Sequence, residues 1–220
     1  MNLRAASPTI TLALPKLPVP LPPPPLSTAA IVNLPPVLET PTVKMPRRYE
    51  SQYALKQLER CYVGEERRES EFGKHYEKET GGVWHVEYLS PAKRRPYWVR
   101  VNSFGKLIDA NNQLLTTTSG RNFGGAAMFI MDRNGDLFVS MHEEDGKFQH
   151  SSLAAGEPLA MAGEIRVERG RITYINNASG HYKPSKTQMS QFINRLRDAG
   201  VPLSGVEVGL FGQRPIFLKR

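Results

Sequence analysis

Cysteine is almost absent: Cys61 is the only one in 220 residues. A lone thiol excludes an internal disulfide framework and a thiolate zinc cluster. His142, His150 and His181 have no short ligand spacing between them, so a histidine metal site is not expected either. No apolar run approaches the roughly 20 residues needed to span a bilayer. Residues 9–22 begin like the apolar core of a secretory signal behind Arg4, but Pro15, Pro18 and Pro20 interrupt it, and the chain reads as lacking such a signal. Internal repeats are missing, and the glycine-rich stretch Gly120 to Gly125 matches no phosphate-loop spacing. Acidic residues are outnumbered, 21 against 29 lysines and arginines, for a net charge of +8. That balance favours acidic surfaces, nucleic acid or anionic ligands as partners and says little about fold.

Proline is abundant but badly distributed, with eleven of eighteen before Met45. Residues 1–45 cannot build a core, and Pro22 to Pro25 read as extended polyproline II. This tail is expected to be a disordered linker, a ligand for a proline-binding domain or an unfolded export signal. Residues 46–220 then form a single domain. Apolar positions from Tyr49 to Tyr62 recur at helical spacing and predict a first helix. Residues 64–80 alternate in charge and predict a solvated helix or loop. Strands follow at Tyr97 to Val101 and around Leu107 to Leu115. Next come a hairpin, Ala127 to Met131 and Leu137 to Met141 around Asn134-Gly135, and a second, Glu164 to Val167 and Arg171 to Ile175 around Gly170. Ser185 with Gln188 predicts a capping box ahead of the apolar stripe Met189, Phe192, Ile193 and Leu196, and Gly200 ends that helix. Val206 to Leu210 and Ile216 to Leu218 close the chain as strands. The fold class is α+β, a mostly antiparallel, hairpin-rich sheet with flanking helices.

Two polar clusters stand out, His150-Ser151-Ser152 and Ser179-Gly180-His181-Tyr182. In the first, the hydroxyls can cap a helix opening at Leu153, or its N–H groups can hold an anion. In the second, a constrained loop, His181 and Tyr182 either pack as structure or line a pocket with His150. Lys93-Arg94-Arg95 beside Tyr97 and Trp98 is either a solvated sheet edge or a short basic, aromatic patch for nucleic acid, the former being favoured.

The stretches VEYLSPAKRRPYWVRV, FIMDRNGDLFVS, FQHSSLAAGEPLAMAGEI, SGHYKPS and FINRLRDAGVPL, in that order, resemble the C-terminal module of plant IQ-motif calmodulin-binding proteins, which is also similar to segments of presumed bacterial effectors. The resemblance covers residues 86 to about 207. Leu55 to Arg68 has only a loose basic and aliphatic pattern, so no IQ element is apparent and calmodulin binding is not carried over. A weaker resemblance is to the mono-ADP-ribosyltransferases, which bind NAD against a split antiparallel sheet. It implies that His150, Ser151 and Ser152 stand in the place of a Ser-Thr-Ser strand and hold NAD, with Ser179, His181 and Tyr182 in the loop that should carry a glutamate. That glutamate is not in the loop, and Glu164 and Glu207 are the nearest substitutes for the catalytic carboxylate. The resulting expectation is a bacterial effector- or toxin-like protein, active or degenerate, exported into a host cell or cytoplasmic, with NAD as cofactor and a host protein as target. The alternative is a non-catalytic protein- or peptide-binding module, its pocket taking an arginine-bearing segment such as Lys44 to Arg48.

Overall fold

The computed structural model describes residues 51–118, 123–210 and 213–219, all within the compact unit Arg48–Arg220. The proline-rich stretch 1–45 lies outside the described residues. One eight-stranded sheet organises the rest, in the order β2-β1-β4-β3-β5-β6-β7-β8. Its strands are β1 (Trp98–Val101), β2 (Leu107–Ile108), β3 (Ala127–Met131), β4 (Leu137–Ser140), β5 (Met161–Glu168), β6 (Arg171–Asn176), β7 (Glu207–Gly209) and β8 (Ile216–Phe217). Four helices accompany it: α1 (Glu71–Thr80), α2 (Pro91–Arg94), α3 (His150–Ala154) and α4 (Lys186–Asp198).

Both faces of the sheet centre are covered, which explains the unbroken apolar run of β3. Ala127, Phe129 and Met131 face one core, where Met189, Phe192, Ile193 and Leu196 of α4 pack and the Phe129 and Phe192 rings stack at 4.6 Å. Met128 and Ile130 face a second core with Phe138, Phe148, Tyr182 and Leu153 of α3. Every pairing is antiparallel except β6 with β7, which run parallel because α4 carries the chain back across the sheet. The β3–β4 turn places only Gly135 at positive φ, while Asp132 Oδ1 accepts from the Asn134 and Asp136 amides at 2.8 and 3.0 Å. The predicted capping box is present: the Ser185 amide donates to Gln188 Oε1 at 3.0 Å, and the Thr187 amide to Ser185 Oγ at 3.2 Å.

Two expectations fail. The described part of the segment predicted to be the first helix is extended, apart from a single 3-10 turn at Arg60–Tyr62. Lys56 and Leu159 exchange both backbone hydrogen bonds, at 2.7 and 3.0 Å, and Glu59 N donates to the His181 carbonyl at 2.8 Å. Residues 51–59 are thus a strap whose tertiary pairing overrides the helical spacing. The sheet is also continuous rather than split, and His150-Ser151-Ser152 opens α3 instead of forming a strand, so the transferase-like layout does not describe this fold.

Candidate functional site

A cleft of about 620 Å³ opens beside Glu164 of β5 and the residues that follow β6, where the two polar clusters meet. Its lining takes Glu143, Gln149 and the first residue of α3, His150, together with Glu164 of β5, the loop 177–180 and the approach to α4, Lys183 to Lys186. Leu210 and Gln213 complete it.

The clusters divide between cleft and interior. His150 is buried, and its Nε2 lies 2.9 Å from the Gly163 carbonyl. A carbonyl only accepts, so Nε2 carries the hydrogen. Burial lowers the His150 pKa, outweighing the Gly163 hydrogen bond and the Glu143 charge, so the ring is neutral near pH 7. Ser152 closes the first turn of α3, accepting from the Gln149 amide at 3.0 Å. Ser151 Oγ is buried without a hydrogen-bond partner among the described residues. The helix opens at His150 rather than at Leu153 and its N-cap is Gln149, so neither serine is the expected cap, and α3 is only five residues long. No described hydroxyl bonds to His150 or His181, so neither ring has a nucleophile in place.

In the second cluster, Ser179 and Gly180 line the cleft, whereas His181 and Tyr182 turn inward. His181 Nε2 donates to Glu65 Oε2 at 2.9 Å, and its ring stacks on Tyr62 at 4.0 Å, with Trp84 also stacked at 6.1 Å. Tyr88 Oη donates to the other Glu65 oxygen at 3.3 Å. Tyr182 is fully buried and donates to the Glu157 carbonyl at 3.1 Å, burial raising its pKa. Glu65 is 0% exposed, inside a charge run expected to be wet. Nothing in that run separates Glu65 from Glu66, which pairs with Arg67 near the surface.

The two candidate carboxylates differ. Glu164 faces the cleft, with Asn176 Nδ2 donating to its Oε2 at 2.8 Å. Burial raises its pKa, the Asn176 bond opposes this, and the Glu143 charge adds to it. Glu207 lies on β7 opposite Tyr174 and Phe217, away from the cleft lining. Two residues of the basic run have partners within the chain. Lys93 pairs with Glu87 at 2.6 Å, while Arg94 donates to the Leu153 carbonyl at 3.2 Å and sits over Phe138. Among the described residues no group of histidine, cysteine or carboxylate side chains is arranged to hold a metal, and no helix is long and apolar enough to cross a membrane.

Most of the cleft lining and of the second core lies within one continuous segment. Residues 93–189 match the family model for the IQ motif-containing protein middle domain. The chain is therefore related to plant IQ-motif proteins. It is 31% identical over 123 residues to the IQ domain-containing protein IQM3 of Arabidopsis thaliana, covering 56% of this chain and 26% of that protein. IQM5 of the same plant is 32% identical over 124 residues, covering 56% and 24%, and IQM2 is 28% identical over 123 residues, covering 56% and 20%. The chain thus spans about a fifth to a quarter of the length of these relatives. No solved structure matches.

The IQM segment is a middle domain by its description, not a C-terminal module. The plant relatives overturn the reading of a secreted bacterial effector with a toxin-like domain, and with it the export into a host cell. Similarity to bacterial effectors or to ADP-ribosyltransferases is not among the matches, and the plant relationship favours the binding-module alternative.

Proposed function

We propose that the domain is a non-catalytic module whose cleft binds a peptide segment of a partner protein. One observation carries this reading. The ends of the two polar clusters, His150 with Ser179 and Gly180, meet Glu164 across a cleft of about 620 Å³. That is within the roughly 300–1,000 Å³ of typical ligand sites. The groups that chemistry would need are engaged elsewhere: the His150 ring with Gly163, His181 with Glu65, and Tyr182 with Glu157. What remains in the lining is a mixture of hydrogen-bonding, charged and small apolar groups, suited to recognition.

Filling the cleft tests the reading. A Cβ at Gly180 would meet nothing nearer than Tyr62 Oη at 3.7 Å, so Gly180→Trp should fold normally while occupying the site. Randomised peptide pools, followed by fluorescence anisotropy, should bind the wild type and not this variant, with equal melting temperatures. Equal binding by both proteins would refute the assignment. NAD titrated by calorimetry should give no heat; NAD binding abolished by Gly180→Trp would instead make the cleft a nucleotide site.

A further inference from the structure

Within that proposed cleft, Glu164 is poorly provided for. Its Oε2 has Asn176, but among the described residues Oε1 has no hydrogen bond and neither oxygen has a cationic partner. A carboxylate drawn partly out of water without a counter-charge loses hydration that nothing in the fold restores. Asn176 cannot be the remedy, because both ends of its amide are committed. Nδ2 donates to Glu164 and to Tyr174 Oη, and Oδ1 accepts from the Glu164 and Ala178 amides. The arrangement holds the carboxylate rigidly and leaves one oxygen unused.

An independent observation lies in the same lining. Ser179 lines the same cleft at 8% exposure, and its Oγ is buried without a partner. Such a hydroxyl costs stability unless something meets it. Glu143 adds a second negative charge, felt by both Glu164 and His150. His150 is neutral and supplies no cation. The two lysines of the lining, Lys183 and Lys186, sit at the entry to α4, and Lys183 is directed to Glu59 at 3.4 Å. Among the described residues Glu164 Oε1 and Ser179 Oγ are thus acceptors of the lining that no donor meets.

We infer that the cleft selects a peptide by an arginine side chain, whose guanidinium is received by Glu164 Oε1 with the Ser179 hydroxyl as a further acceptor. Guanidinium matches this lining better than ammonium. It presents five donors in a flat fork, can satisfy more than one acceptor at once, and sheds water more readily than a lysine head group.

The inference rests on the peptide-binding reading, and the test separates the two. Peptide pools randomised except at one position, fixed as arginine, lysine, citrulline or norleucine, are titrated against the wild type, Glu164→Gln and Ser179→Ala. The arginine pool should bind the wild type about 10- to 100-fold more tightly than the citrulline pool, the factor expected of one charge-assisted contact. Lysine should fall between them. Glu164→Gln should remove the arginine preference and leave citrulline affinity unchanged, and Ser179→Ala should weaken arginine binding by up to about tenfold. Equal affinity for all four pools, blocked by Gly180→Trp, would sink the arginine inference and keep the peptide site. No binding of any pool would sink both. A lysine preference equal to or above arginine would overturn guanidinium selection. Because the citrulline comparison changes only the ligand, it holds even if a variant folds poorly.

Discussion

Glu65→Ala should loosen the domain far more than its place in a charged run suggests. The carboxylate accepts from two side chains, His181 Nε2 at 2.9 Å and Tyr88 Oη at 3.3 Å, and is completely buried. Truncation strands both donors. Each stranded buried donor costs about 1–3 kcal/mol, with the longer, half-buried Tyr88 contact at the low end, so the expected loss is about 3 kcal/mol. For a domain of this size about 1 kcal/mol moves the melting temperature by about 2–4 °C, giving a fall of about 6–12 °C. Glu65→Gln keeps one acceptor and should lose roughly half as much. Urea unfolding followed by near-ultraviolet circular dichroism reads the change directly, because Trp84 and Tyr62 stack with His181. Glu66→Ala, one residue on, is the control and should stay within about 0.5 kcal/mol. If Glu65→Ala matched that control, the clamp between Glu65 and the 179–182 loop would have no energetic meaning.

His150→Gln should flatten the acid side of the stability profile. The folded pKa of His150 is depressed, so its contribution is complete above the ordinary imidazole value of about 6.5 and is lost as pH falls below it. Denaturation midpoints between about pH 5 and 7 would show a wild-type slope that the variant lacks. Glu164 has the opposite sign: its raised pKa makes ionisation unfavourable to folding. Glu164→Gln should therefore stabilise at neutral pH, by under roughly 1 kcal/mol because much of the side chain still meets water, and the gain should vanish in acid. Gly163→Ala would drive a methyl group into the backbone carbonyl of Asn176 and should cost about 3 kcal/mol by thermal unfolding. Ser185→Ala removes the α4 cap and should cost about 1 kcal/mol in the same measurement.

Where folding is decided locally, the sequence was readable. The Ser185–Gln188 box, the Gly170 turn and the continuous apolar run of β3 each carry their cause within a few residues, and each stands where expected. The strap is the contrary case. Tyr53 and Leu58 belong to the apolar positions at helical spacing, yet Tyr53, with Leu55, packs against the α4 core and Leu58 against the α3 core, from an extended backbone pairing with Leu159. That partner lies about a hundred residues away and leaves no trace in local periodicity. The site was half legible for the same reason. His150 and Ser179 stood out as members of polar clusters and Glu164 only as a substitute for a catalytic carboxylate; the three line one cleft, while Ser151, Ser152, His181 and Tyr182 are buried outside its lining. Only the fold reveals which neighbour faces the solvent.

The strap and α4 also bear on how much chain such a domain requires. The family match begins at Lys93 and stops at Met189, four residues into a thirteen-residue helix. A fragment cut at those limits would discard Phe192, Ile193 and Leu196 from one core, together with β7 and β8. It would also remove Glu65, the counterpart of His181, and with it Trp84, Val86 and Leu89. The segment that matches the family model is thus smaller than the packed unit, which reaches from the strap to β8.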